Sequence, residues 1–62
     1  MMYTVTYLVM STPLPYTQTE LYGSRSEAIN QARLTNCNDP CILGYKVEDP
    51  AGNIIEKRGV LK

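Results

Sequence analysis

Cys37 and Cys41 bracket Asn38-Asp39-Pro40, and this pair is the local pattern with the most chemistry to offer. Three uses fit two thiols at that spacing. A structural zinc site needs about four nitrogen or sulfur ligands, and this chain supplies two cysteines and no histidine. Zinc would therefore need a second subunit or help from a carboxylate such as Asp39. A redox disulfide is open to Cys37 and Cys41, because the turn between them can bring the sulfurs together, although the spacing differs from Cys-x-x-Cys. The remaining use is structural, with both thiols reduced and packed as small hydrophobes at a helix end.

Catalysis has little else to draw on. Without histidine the usual general base and commonest metal ligand are missing. The carboxylates Glu20, Glu27, Asp39, Glu48, Asp49 and Glu56 fall at turns, caps or solvent-facing strand positions. Glu27 has a capping role and Glu56 a cross-strand partner. Ser11, Ser24 and Ser26 lack a nucleophile-elbow context. The spacing of Gly23, Gly44, Gly52 and Gly59 matches neither nucleotide-binding fingerprint. A domain of 62 residues also seldom encloses a pocket of roughly 300 Å³. The expectation is a non-enzyme with no catalytic residue, cofactor or metal.

The elements that position these residues are readable from local patterns. Tyr3 to Met10 alternates as a strand, with Tyr3, Val5, Tyr7 and Val9 on one face and Thr4, Thr6, Leu8 and Met10 on the other. Ser11-Thr12-Pro13-Leu14-Pro15 interrupts it, since proline cannot donate to a ladder. Tyr16 to Tyr22 predicts a second strand. Ser24 with Glu27 three residues on has the capping-box spacing and opens a helix that should run to about Asn36. Ala28, Ile29 and Ala32 share its inner face, while Leu34 points away. Pro40 ends the helix. Ile42 to Glu48 and Ile54 to Arg58 then flank Asp49-Pro50-Ala51-Gly52-Asn53, which fits a type I turn with left-handed Gly52. That turn predicts Val47 opposite Ile55 on one face and Lys46 opposite Glu56 on the other. Residues 1–62 thus form one small α+β domain, β-β-α-β-β, a four-stranded mainly antiparallel sheet with one helix on one face. The other face must meet water or a partner.

Charge narrows the partner. Six acids balance six bases, and none of the twelve lies in the first nineteen residues. A general nucleic-acid binder usually carries a clear basic excess, and a zero balance gives no electrostatic reason to sit on an anionic membrane. The segment Met1 to Met10 lacks the basic and continuous apolar regions of a signal peptide, so a soluble cytoplasmic protein is expected. Tyr3, Tyr7, Leu8 and Tyr16, with off-stripe Leu34, are the candidates for contact with another protein, or with a second copy to form a homodimer. Two readings of the uncharged first strand stay open: an edge offered to a partner, or a central strand buried between neighbours. The rival class is a nucleic-acid module using Lys46, Lys57 and Arg58, with Lys62 adding to a basic C-terminal end and tyrosines stacking bases. A third is a redox-responsive dimer controlled by Cys37 and Cys41.

Ser24-x-x-Glu27-Ala28-Ile29-x-x-Ala32, followed by a strand and then Asp49-x-x-Gly52-x-Ile54, resembles a pattern in small bacterial and phage β-β-α-β-β domains of unassigned activity. The resemblance spans about residues 22 to 58 and rests on capping, packing and turn positions. Some phage proteins of this size act by blocking a host complex, so it implies a stand-alone accessory or regulatory protein. It carries over no functional residue.

Overall fold

Period-two alternation of β-branched and aromatic residues produces strands at both ends of the chain, and the capped helix falls between them. The computed structural model describes residues 1–59. Its elements are β1 (Tyr3–Val9), β2 (Tyr16–Tyr22), α1 (Arg25–Asn38), β3 (Ile42–Glu48) and β4 (Ile54–Gly59). The sheet order is β2-β1-β3-β4, and every neighbouring pair is antiparallel. This is the β-β-α-β-β arrangement expected from the sequence.

β1 is central, flanked by β2 and β3. Its lack of charge therefore reflects burial between neighbours, and the idea that β1 offers a free edge is corrected. The free edges belong to β2 and β4. Val5, Tyr7 and Val9 of β1 and Tyr45 and Val47 of β3 face the helix and form the core with Ala28 and Ala32. Full burial of each valine contributes about 1.5–3 kcal/mol. The two alanines let α1 lie close over β3 and β1, with less contact to β2. The Tyr7 and Tyr45 rings meet at a tilted 57° with centroids 6.5 Å apart, a favourable edge-on geometry.

The helix starts as its sequence demands. Ser24 is the N-cap in extended geometry, and its hydroxyl accepts the Glu27 N–H at 3.1 Å. The helix continues to Asn38, about half a turn beyond Asn36. The Asp39 N–H donates to the Thr35 carbonyl before Pro40 stops the run.

The β3–β4 turn closes through Asp49. Its carboxylate accepts the N–H groups of Ala51 and Asn53, and Gly52 takes a φ of +91°. Asn53 holds the Asp49 pKa below the ordinary carboxylate range by backbone hydrogen bonding. Beyond the turn the register departs from the expected one. Glu48 faces Ile54, but Val47 faces Glu56 and Lys46 faces Lys57. Ile55 is the extra residue of a bulge, and a one-residue slip sends every later side chain to the other face. The expected pairs Val47–Ile55 and Lys46–Glu56 are therefore corrected. Ile55 keeps its packing against the core, and the slip carries Glu56, now opposite Val47, to the helix side as well.

Candidate functional site

Two surfaces gather the residues with functional potential: the sheet face turned away from the helix, and a polar cluster where α1 meets β4. The register assigns their members. Thr4, Thr6 and Leu8 of β1 sit opposite Leu21, Thr19 and Thr17 of β2. On the other flank they sit opposite Glu48, Lys46 and Gly44 of β3. Lys57 and Ile54 of β4 complete the open face. Its middle is half-buried in the single chain, while Leu21 and Ile54 are 59% and 50% exposed. The β2–β1 half carries only threonine and leucine, and the β3–β4 half carries Lys46, Glu48 and Lys57.

All five tyrosines lie at helix-side positions. Tyr3 pairs with Tyr22, Val9 with Tyr16, and Tyr7 with Tyr45. Tyr7 is buried and its hydroxyl donates to the Gln31 carbonyl at 3.4 Å. Tyr7 is thus removed from the contact candidates, since a core residue cannot meet a partner without unfolding. Tyr3 is half-buried beside the core. Tyr16 is 50% exposed, but on the helix side of the β2 edge. Leu8 is the β1 candidate that faces outward. Leu34 is 53% exposed on α1, and Leu14 is exposed in the proline loop.

This placement also separates the basic residues. Lys46 and Lys57 oppose each other on the open face, whereas Arg58 pairs with Tyr45 on the helix side. Lys62 lies outside the described residues. No aromatic ring stands on the open face among the described residues, so the two lysines have no stacking platform beside them.

The polar cluster is built by the bulge. Tyr45 Oη donates to Glu56 Oε2 at 2.6 Å. Arg33 donates to the same carboxylate through Nε at 3.0 Å and Nη2 at 2.7 Å. The Arg33 fork, helped by Tyr45, holds the Glu56 carboxyl below the ordinary range. Burial, reinforced by the neighbouring carboxylate, pushes the Tyr45 phenol up. Glu56 is therefore no solvent-facing strand residue; it ties the sheet edge to the helix. With Lys57 and Arg58 these groups line an open concavity of about 500 Å³. No local sequence signal marks this trio, because it depends on the Ile55 bulge and on which helix face meets β4.

Cys37 and Cys41 are both free and exposed. Packing as small hydrophobes is thereby corrected: Cys37 falls on the outer side of the last helical turns, and Cys41 on a turn. The Cys41 backbone is fixed, its N–H donating to Asp39 Oδ1 at 2.9 Å and its carbonyl accepting from Met10. Among the described residues no group of three or more cysteine, aspartate or glutamate side chains is placed to hold a metal. No helix there is long and apolar enough to cross a membrane.

Compared with known proteins, the chain matches no family model, no curated protein and no solved structure.

Proposed function

We propose that the protein is a non-enzymatic binding module that engages another protein through the open face of its sheet. The observation that carries this reading is the composition of that face: an uncharged Thr and Leu half continuous with a charged half of Lys46, Glu48 and Lys57. Interface centres are depleted in charge and their rims are polar. Leu8 and the threonines would lie at the contact centre, and the lysines with Glu48 at one border. The absence of tyrosine from this face favours a protein surface over nucleic-acid bases, which bind by stacking on aromatic rings. Glu56 supports the non-enzymatic part, because a carboxylate held ionised by two donors is a weak base. The resemblance of residues 22–58 to small bacterial and phage domains supports a modulator of a larger complex.

The test pairs the unmutated chain with a Leu8→Asp, Ile54→Lys variant, each tagged and used to capture partners from a lysate of the cells that encode it, with and without nuclease. Both substitutions lie on the open face, and Ile54→Lys would face Glu48. We expect a protein recovered by the parent and lost by the folded variant. Recovery that disappears with nuclease would transfer the reading to nucleic acid.

A further inference from the structure

The two free edges of the sheet are guarded very differently. β4 carries a bulge, Lys57 and Arg58, and ends at Gly59 with φ of +79°. Bulges and edge cations are standard means of discouraging strand addition. β2 has none of them. Its register with β1 is unbroken over all seven residues, and Tyr-Thr-Gln-Thr-Glu-Leu-Tyr contains no proline, lysine or arginine. Its single charge, Glu20, accepts the Tyr22 hydroxyl at 2.8 Å. Five of the seven residues, Tyr16 to Thr19 and Leu21, are exposed.

The sequence of this edge is self-complementary. In an antiparallel pair of β2 strands centred on Thr19, Thr19 meets its own copy, Gln18 meets Glu20, Thr17 meets Leu21, and Tyr16 meets Tyr22. Three of the four kinds of facing pair then match, hydroxyl with hydroxyl, amide with carboxylate and ring with ring, and the fourth sets the Thr17 methyl and hydroxyl beside Leu21. Cross-strand pairs of this sort are stabilising, and like charges directly opposite are not. Centring the pair on Glu20 would set two carboxylates face to face. Centring it on Gln18 would bring Pro15, which lacks an N–H, into the ladder opposite Leu21. Thr19 is the centre that uses the whole strand. The twofold axis would stand perpendicular to the sheet and leave both helices on one side. α1 lies mainly over β3 and β1, so the helices stand back from the junction.

We infer that β2 is a homodimerisation edge: a second copy adds its own β2 antiparallel, with Thr19 on the twofold axis, to give a continuous eight-stranded sheet. Closed twofold symmetry consumes the free β2 edge of both copies. The pairing runs through the outward backbone groups of β2, whereas the Thr19 side chain lies on the open face assigned to a partner, so the test reads self-association of the chain alone with no partner present.

Sedimentation equilibrium in reductant, which prevents crosslinking through exposed Cys37 and Cys41, tests the assignment. The unmutated chain should rise with concentration to twice the 7.0 kDa of one chain at or below about 1 mM, the weak end of specific association. Thr19→Lys and Thr19→Glu should each remain monomeric at that concentration, because each sets like charges opposite one another. Their equimolar mixture should recover the dimer, a result that requires position 19 to meet itself. Amide hydrogen exchange on the unmutated chain needs no variant: outward β2 amides should exchange faster on dilution while β1 amides do not. A monomer at every concentration, a dimer indifferent to Thr19→Lys, a mixture that fails to associate, or β2 exchange independent of dilution would each overturn the inference.

Discussion

Replacing Tyr45 by Phe removes one hydroxyl and leaves the buried ring in place. In the folded protein that hydroxyl donates to Glu56 Oε2 at 2.6 Å, while Arg33 makes two bonds to the same carboxylate. A hydrogen bond to a charged group contributes about 1.5–3 kcal/mol. The Glu56 side chain keeps 18% exposure, so water replaces part of what is lost. We expect Tyr45→Phe to cost about 1–1.5 kcal/mol. Arg33 makes more bonds and has the larger effect on Glu56 titration, yet its side chain is 60% exposed. An exposed pair is screened by solvent and must hold a long side chain still, so Arg33→Gln should cost about 0.5 kcal/mol or less. The Tyr45 hydroxyl pays little such entropy, because its ring is already fixed in the core.

Urea unfolding followed by circular dichroism at pH 7 and at steps into acid reads both the order and the linkage. Glu56→Gln weakens both interactions and should cost about 1.5–2 kcal/mol at neutral pH. Because the folded pKa of Glu56 lies below its unfolded value, its contribution is complete above the unfolded value of about 4.3. It is lost as pH falls through the folded value. Glutamine does not titrate, so the gap between parent and Glu56→Gln should close across that acid window. An Arg33→Gln deficit larger than that of Tyr45→Phe, or a Glu56→Gln deficit unchanged in acid, would refute the clamp.

Further outcomes follow from single contacts. Ser24→Ala should lose about 1 kcal/mol of stability by removing the cap on α1, whereas Ser24→Asp should retain it; equal midpoints for all three chains would contradict the cap. Lys57→Glu should raise stability by about 0.2–1 kcal/mol in low salt by replacing the Lys46–Lys57 opposition with an attractive pair, and the gain should fade as salt is added. Gly52 and Gly59 both have positive φ, so alanine at either should cost about 1–2 kcal/mol from backbone strain. A Cβ at Gly52 meets open space, but one at Gly59 runs into the Leu43 carbonyl and the Gly44 backbone. Thermal melts should therefore rank Gly59→Ala as the more damaging of the two.

The features legible in the sequence were those fixed by neighbours a few residues apart. Alternation from Tyr3 to Val9 specified a strand, Ser24 and Glu27 specified the helix start, and Asp49 with Gly52 specified the last turn. Sheet order was not legible, because an uncharged β1 fits both a central strand and an exposed one. The single bulge at Ile55 had the widest consequence. Two consecutive isoleucines satisfy either register, and the balance turns on whether Glu56 reaches Tyr45, a contact 11 residues distant. Leu8 was among the site candidates and does face outward, but its flanking residues Thr17 and Gly44, and the place of Leu21 and Ile54 on the same face, required the register. Tyr7 was misleading for a physical reason: an aromatic suits both an interface and a core, and the helix placement decides between them.

The most direct test of the proposed function compares capture by the unmutated chain with capture by the Leu8→Asp, Ile54→Lys variant, after circular dichroism has shown both to be folded. We expect a nuclease-resistant protein partner to be recovered by the first and lost by the second. The same partner recovered equally by both chains would mean that the open face of the sheet is not where this protein binds.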